Sequence, residues 1–366
     1  MRVLSHRLRL REPAGVAVLL ALVICLQAAT AGVLAARRSH PPVPTAVTSY
    51  AAGPRDPRIP YRHPRPAVAP PRHRAAVKHV APPRRVVHKP PPRKLRPPRP
   101  HTDTLVALRG LSAWVDLYDY GKSGPAAAAA LADTAAAHGV RTIWVETSRY
   151  NTPNIAYAGP LSALLDRAAV RHLHVIAWVL PEFRSVSADL AKARAAAAFR
   201  SRGGHRFAAL GLDIEVSEGA SAAQRSSRLI ALARALHGHI GVPLVSIVPP
   251  PVGFSHHPSY WPGFPWRTLA GYSEAIATMG YWSASHNAEP GGYTRTVLAQ
   301  TRSLVGRSSY PIHVIGGLAS DTSPAGVASF CRVARSDHAL GASLYDLAST
   351  PASLWAPLQA CRRVGS

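Results

Sequence analysis

Eight short apolar runs, each separated from the next by an alanine-rich or otherwise helix-prone stretch, recur at a nearly constant spacing through residues 102–366 of this 366-residue chain. They are Leu111–Leu117, Thr142–Thr147, His174–Leu180, Ala208–Val216, Pro243–Val248, Ala275–Tyr281, Ile312–Leu318 and Ala342–Leu347. Helix candidates between them include Pro125–His138, Pro160–His172, Ser187–Arg200, Ala222–His237 and Pro324–Arg335. Ser323-Pro324 and Thr350-Pro351 read as an N-cap followed by proline in the first turn. The runs are apolar throughout rather than alternating, as expected of strands covered on both faces. Eight such strands alternating with helices predict the α/β class and a (β/α)8 TIM barrel. A doubly wound open sheet is the alternative, but no glycine-rich phosphate loop follows the first run.

The preceding third of the chain cannot join such a barrel. Residues 41–100 hold 18 prolines and 14 Lys or Arg against one acid, Asp56. A segment of that composition buries too little apolar surface to offset its ordering entropy and favours extended polyproline II. All seven Trp and all six Phe lie after residue 102. Residues 1–101 also carry +18 of the net charge of +25, so the basic character says little about what the barrel binds. It suits a solvated linker, or contact with an anionic cell-wall polymer or membrane surface. Nucleic acid is not expected as a partner, because only Tyr50 and Tyr61 interrupt the basic stretch.

Arg2, Arg7, Arg9 and Arg11 precede an uncharged run from Ala14 to Ala36. Gly15–Leu26 has the make-up of a signal-peptide core, and Ala29-Thr30-Ala31 is an acceptable cleavage site. The same run is long enough to span a bilayer once. Both readings put the remainder outside the cytoplasm, secreted or at the cell surface. The expected organisation is therefore a signal or anchor segment (1–36), a disordered basic linker (37–101) and a barrel (102–366). In an oxidising compartment Cys331 and Cys361 suggest one disulfide joining the last helices, with two buried thiols as the alternative.

Barrel enzymes place their chemistry at the C-terminal strand ends. Those ends supply Asp116 on the first strand, Glu146 on the second, Trp178 and Glu182 on the third, and Asp213 with Glu215 on the fourth. The sixth adds Tyr281 and Trp282, and the eighth Tyr345 and Asp346. Asp213 and Glu215 stand two apart, so both project from one face of a strand. Adjacent carboxylates repel, and repulsion raises one pKa toward the range a general acid needs. The loop 249–266, rich in Pro and aromatics, reads as a glycan platform carrying Trp261, or as a cap whose aromatics pack together. His172-x-His174, His237-x-His239 and His256-His257 lack metal-ligand partners at suitable spacing. There is neither a His-Glu-x-x-His nor a Gly-x-Ser-x-Gly. No metal or other cofactor is expected.

Asp213-Ile214-Glu215 resembles the last part of the Asp-x-x-Asp-x-Asp-x-Glu signature of chitinase-type barrels, and Met279-Gly280-Tyr281-Trp282 resembles their Met-x-Tyr-Asp run. That resemblance implies Glu215 as general acid, with Asp213 and Tyr281 holding a substrate N-acetyl group as it attacks the anomeric carbon. Ala208 and Gly211 replace the first two signature aspartates, and Trp282 stands where an acid is expected. Lysozyme-type muramidase barrels are a second likeness, pairing an Asp-x-Glu on strand four with an acid on strand one, here Asp116. The expectation is an exported glycoside hydrolase acting, as a monomer, on a polysaccharide containing N-acetylhexosamine, such as cell-wall glycan. Its catalytic residues would be Glu215, Asp213, Tyr281 and Asp116. Glu146, Trp178, Glu182, Trp261, Trp282, Tyr345 and Asp346 would bind substrate. A barrel that binds polysaccharide without cleaving it is the alternative, and a spacer that presents the basic tail is a third.

Overall fold

The computed structural model describes residues 102–216, 220–283, 285 and 289–366. The expected signal or anchor segment and the basic linker lie outside the described residues. Among the described helices none is long and apolar enough to cross a membrane. A short helix α1 (Thr102–Ala107) leads into strand β1 (Gly110–Val115), followed by α2 (Leu117–Tyr120) and α3 (Gly124–Ala137). Then come β2 (Thr142–Arg149), α4 (Ala158–Val170), β3 (His174–Leu180), α5 (Val186–Ala198), β4 (Ala209–Asp213) and α6 (Ala222–Leu236). β5 (Leu244–Val248), α7 (Pro251–His256), α8 (Trp266–Leu269), β6 (Ala275–Met279), α9 (Pro290–Val305) and β7 (Ile312–Leu318) follow. The chain closes with α10 (Pro324–Ser336), β8 (Gly341–Tyr345), α11 (Ala352–Leu358) and a 3-10 turn, Gln359–Arg363.

All eight strands are parallel and pair in chain order, and β8 returns to β1 with Gly110 opposite Gly341, so the barrel is closed. Along each strand one parity faces inward. Trp114, Trp144, Ile176, Trp178, Ala209, Val245, Ile247, Ala275, Ala277, Met279 and Ile315 form the interior cluster, whereas Val115, Val145, Leu212 and Ile214 belong to the layer under the helices. Trp114 stacks on Trp144 with ring centroids 4.7 Å apart and meets Trp178 edge-on at 6.0 Å. Three indoles inside a barrel leave little room opposite. A Cβ added to Gly211 would come within 2.7 Å of Ile247 Cδ1 and 3.2 Å of Trp178 Cβ. Below the indoles, Ser343 Oγ accepts from Trp114 Nε1 at 2.8 Å and bonds His313 Nε2 at 2.9 Å. Burial pushes the His313 imidazole down to about 4, so it stays neutral.

Five C-terminal strand ends differ from the sequence expectation, and two of them, on β6 and β8, simply fall two residues early, at Met279 and Tyr345. β1 stops at Val115, because Asp116 caps α2: its Oδ1 accepts from the Tyr118 and Asp119 amides at 2.7 and 3.2 Å, and Asp119 Oδ2 accepts from the Asp116 amide. β2 runs two residues further, to Arg149, through a bulge between Glu146 and Ser148. β4 ends at Asp213 rather than Val216, although the Ile214 amide still donates to Ile247 O at 2.9 Å.

Ser323 caps α10 by accepting from the Gly326 amide. Cys331 on that helix is disulfide-bonded to Cys361 in the final 3-10 turn, 30 residues on. A loop of that length removes enough unfolded-state entropy to stabilise the fold by about 3 kcal/mol. Replacing both cysteines by serine should therefore lower the melting temperature, followed by circular dichroism, by about 6–12 °C.

Candidate active site

The inward parity of the strands decides which side chains reach the barrel mouth. On β4 the sequence Ala209, Gly211, Asp213, Glu215 climbs one face, and Ile214, fully buried, points the other way into the helix layer. Asp213 is 6% exposed, and its Oδ1 is buried with no hydrogen-bond partner among the described residues. Glu215, one step nearer the rim, is half-buried. The backbone is tied down there, since the Tyr260 hydroxyl donates to the Glu215 carbonyl.

Around this pair stand the other mouth residues. Glu146 at the end of β2 is fully buried, and Arg149 grips it through Nε to Oε1 at 2.8 Å and Nη2 to Oε2 at 2.5 Å. Asp116 Oδ2 accepts from the Tyr345 hydroxyl at 3.0 Å. Asp346 Oδ1 accepts from the Ser349 amide at 2.7 Å. One carboxylate oxygen each from Asp116, Asp119 and Asp346 lies within 4.8 Å of the others, the one place among the described residues where three acids could share a cation.

Packing acids into a half-enclosed mouth raises the pKa values of Asp119, Glu146, Asp213, Glu215 and Asp346. Burial, then the charge of Glu146, pushes Glu215 up to about 7, while Arg149 pulls it back. Asp213 is raised well above the carboxylate range, first by burial and then by Glu215 and Glu146. Asp213 is the deeper group of the pair, and burial with the neighbouring carboxylates favours its protonated form. Glu146 adds a third carboxylate to the repulsion expected within the Asp213–Glu215 pair. Burial and neighbouring acids bring Asp119 up to about 8 and raise Asp346. Tyr281 and Tyr345 are kept firmly protonated by burial beside the same carboxylates.

The structure brings Asp116, Glu146, Asp213, Glu215, Tyr281, Tyr345 and Asp346 to one mouth. Four other residues named from the sequence stand elsewhere. Trp178 is 4% exposed in the barrel interior, beneath the acids. Trp282 lies across β7, where a Cβ on Gly316 or Gly317 would meet its ring at 2.7 Å, and it packs on Phe330. Trp261 is 2% exposed, with Nε1 donating to Ser226 Oγ and its ring against Phe183, Tyr260, Phe264 and the Arg225 guanidinium. The loop 249–266 is thus a packed cap that contains α7 and leads into α8. Glu182 pairs with Arg184 at 2.8 Å on the loop after β3.

Sequence reading missed Arg149, Asp119 and Tyr260. Arg149 lay beyond the expected end of β2, and only the bulge turns it to Glu146's side. Asp119 carried a legible signal, because Asp116 and Asp119 have the spacing of an N-cap box. Nothing in the local sequence ties Tyr260 to Glu215.

The pH dependence of stability follows from these raised acids. In the unfolded chain they ionise near pH 4, whereas the folded barrel keeps their protons longer. Their contribution is therefore full below about pH 4, declines as pH rises above it, and levels off only past the folded midpoints of about 7 and 8. Calorimetry should give a melting temperature at least about 3 °C lower at pH 8.5 than at pH 5.5. Asp213→Asn, which buries a neutral amide instead, should narrow the gap by raising the value at pH 8.5.

No protein-family model matches the chain, and no curated protein matches it by sequence. Solved structures of glycoside hydrolases share its fold. A class V chitinase from Pseudomonas fluorescens superposes with a TM-score of 0.50 at 13% identity, over 69% of this chain and 99% of that one. The glycoside hydrolase domain of PgaB from Bordetella bronchiseptica gives 0.52 at 11% identity, over 70% and 99%. The spore cortex-lytic enzyme SleL of Bacillus megaterium gives 0.51 at 9% identity, over 70% and 74%. At these identities the likeness is one of fold, the closed eight-stranded parallel barrel.

Proposed function

We propose that this chain hydrolyses a polysaccharide containing N-acetylhexosamine, such as cell-wall glycan, with Glu215 as general acid and Asp213 as its partner. The observation that carries the reading is the Asp213–Glu215 pair itself, Asp213 the last residue of β4 and Glu215 two beyond it, with Glu215 able to hold a proton up to about pH 7. Glycoside cleavage requires a protonated carboxyl at the leaving oxygen and a second group to capture or stabilise the oxocarbenium-like centre. Glu215, half-buried at the rim, is the donor. Asp213 lies deeper, and its unpartnered buried Oδ1 suits an N–H of the substrate.

The second group is most economically the substrate's own N-acetyl oxygen. Glu146 is held by Arg149, and Asp116 accepts from Tyr345 and two backbone amides; an attacking N-acetyl oxygen requires neither as nucleophile. Tyr281, held protonated beside Asp213 and Glu215, supplies an O–H donor for that acetamide. The chitinase and the spore cortex-lytic enzyme that share the fold agree with this substrate class. Export, with the basic segment 41–100 resting on an anionic wall polymer or membrane surface, belongs to the same proposal.

A barrel that binds polysaccharide without cleaving it is the second reading. The packing at Gly211 favours it, since Ile247 and Trp178 close the place of a further signature aspartate. Sugar release from peptidoglycan and from N-acetylglucosamine oligomers separates the two. Release by the full chain, and a fall of at least about 100-fold in Glu215→Gln, is the expected outcome for removal of a general acid. A folded chain that sediments with wall material but releases nothing would overturn the hydrolase.

A further inference from the structure

The charge of the barrel is sorted by end. Helices of a parallel barrel run back against the strands, so each helix-to-strand connection lies at the end opposite the mouth. Those connections, with the C-terminal residues 359–366, carry nine arginines against two acids, Glu274 and Asp337. The strand-to-helix segments at the mouth reverse the balance. Six described acids there, among them Glu182, Glu289 and Asp321, stand against Arg184 and, between α2 and α3, Lys122. Asp133 and Asp166, on α3 and α4 toward the basic end, are engaged, the first by Arg167 and Arg171 and the second by Ser201 and the Gly203 amide.

Exposed apolar side chains are sorted in the same way. Val106, Val170 and Leu304, the second of them 62% exposed, stand in the last turns of α1, α4 and α9 at the basic end, whereas the exposed tyrosines Tyr118, Tyr150 and Tyr157 belong to the mouth. Between α4 and the starts of β3 and β4 a cavity of about 350 Å³ opens at the basic end, lined by Leu165, Ala169, Leu173 and Val175 with the exposed His205 and Arg206 beside them. The first described helix is fastened here too. Thr142 Oγ1 donates to Ala107 O at 2.6 Å, and His313 Nδ1 bonds Leu108 O at 3.1 Å. The basic segment that precedes α1 in the sequence therefore joins the barrel at its basic end.

We infer that the end opposite the mouth is a docking face for a bilayer rich in anionic phospholipid, with its arginines on the head groups and Val106, Val170 and Leu304 among them, so that the mouth opens away from the membrane. Arginines alone suit any polyanion. Aliphatic side chains exposed among them favour a lipid surface, because a hydrated phosphate polymer offers nothing to bury them. The negative surface potential of such a bilayer draws each arginine that comes within about a Debye length. The expected anchor Ala14–Ala36 would hold the barrel near that surface. A tether limits distance and leaves orientation open; the sorted charge of the barrel sets it. The inference holds whether the mouth cleaves a glycan or only binds one.

Amide hydrogen exchange in the full chain, read by mass spectrometry, tests it. Vesicles of equal parts phosphatidylglycerol and phosphatidylcholine should slow exchange in 171–173 and 199–206 and leave 150–157 at the mouth unchanged, and phosphatidylcholine alone should protect neither. Arg141→Gln combined with Arg206→Gln and Arg363→Gln removes three exposed arginines. That variant should weaken docking about 100-fold, at roughly fivefold for each arginine, and so lose the protection with no change in melting temperature. Unprotected 171–173 and 199–206, or equal protection by phosphatidylcholine alone, overturns the docking face. The same protection from soluble poly(glycerol phosphate) overturns the membrane as partner in favour of a wall polymer. Should the variant not fold, salt decides: protection of the parent that survives about 1 M salt, where the Debye length is about 3 Å, overturns an electrostatic face.

Discussion

Closing eight parallel strands on themselves gives every strand one inward parity, and almost everything at the mouth of this barrel follows from that. On β1 to β3 the even-numbered residues point inward, and on β4 to β8 the odd-numbered ones. The same registers that stack Trp114 on Trp144 at mid-barrel deliver Asp116, Glu146, Asp213, Glu215, Tyr281 and Tyr345 at the top. The bulky interior also restricts its neighbours. With Trp178 and Ile247 filling the space beside Gly211, β4 has room for acids only from Asp213 upward. The barrel therefore carries its charge at the rim and a dry, aromatic plug beneath it.

Crowding acids over an apolar floor is costly, because each must keep a proton or find a counter-charge. This mouth uses both solutions in different places. Burial raises Glu146 too, but there Arg149 opposes the rise, whereas Asp213 and Asp119 retain protons well above the ordinary carboxylate range. The contrast sorts the carboxyls by chemical aptitude. Glu146 has both oxygens taken up by Arg149. A half-buried Glu215 that titrates near 7 can donate at the rim. Such a cluster weakens the fold at high pH, and on the proposed reading that strain is the source of the acid's reactivity.

The architecture was legible because a parallel barrel writes itself as repeated apolar runs, and all eight appear as strands near the expected positions. The acids at strand ends were legible for the same reason: position along a run fixes height in the barrel. Other features came from contacts between segments far apart in sequence. Trp261 in the long loop after β5 and Trp282 just past β6 are aromatic and placed as a sugar platform demands, yet they are buried. A guanidinium with Phe183 and Phe264 encloses the first, and a pair of glycines on β7 receives the second. Exposure depends on such neighbours, and composition does not reveal it.

By itself, the amino-acid sequence determined the fold class, the strand that carries the paired acids, and their common face, since these depend on the period of two along one strand. Only the tertiary structure decided how the acids at the mouth are partnered. A single bulge in β2 places Arg149 on Glu146, burial keeps the proton on Asp213, and closure of the barrel sets β2 against β4. Electrostatic coupling depends on distance and burial across the barrel, and those exist only once the eight strands have closed.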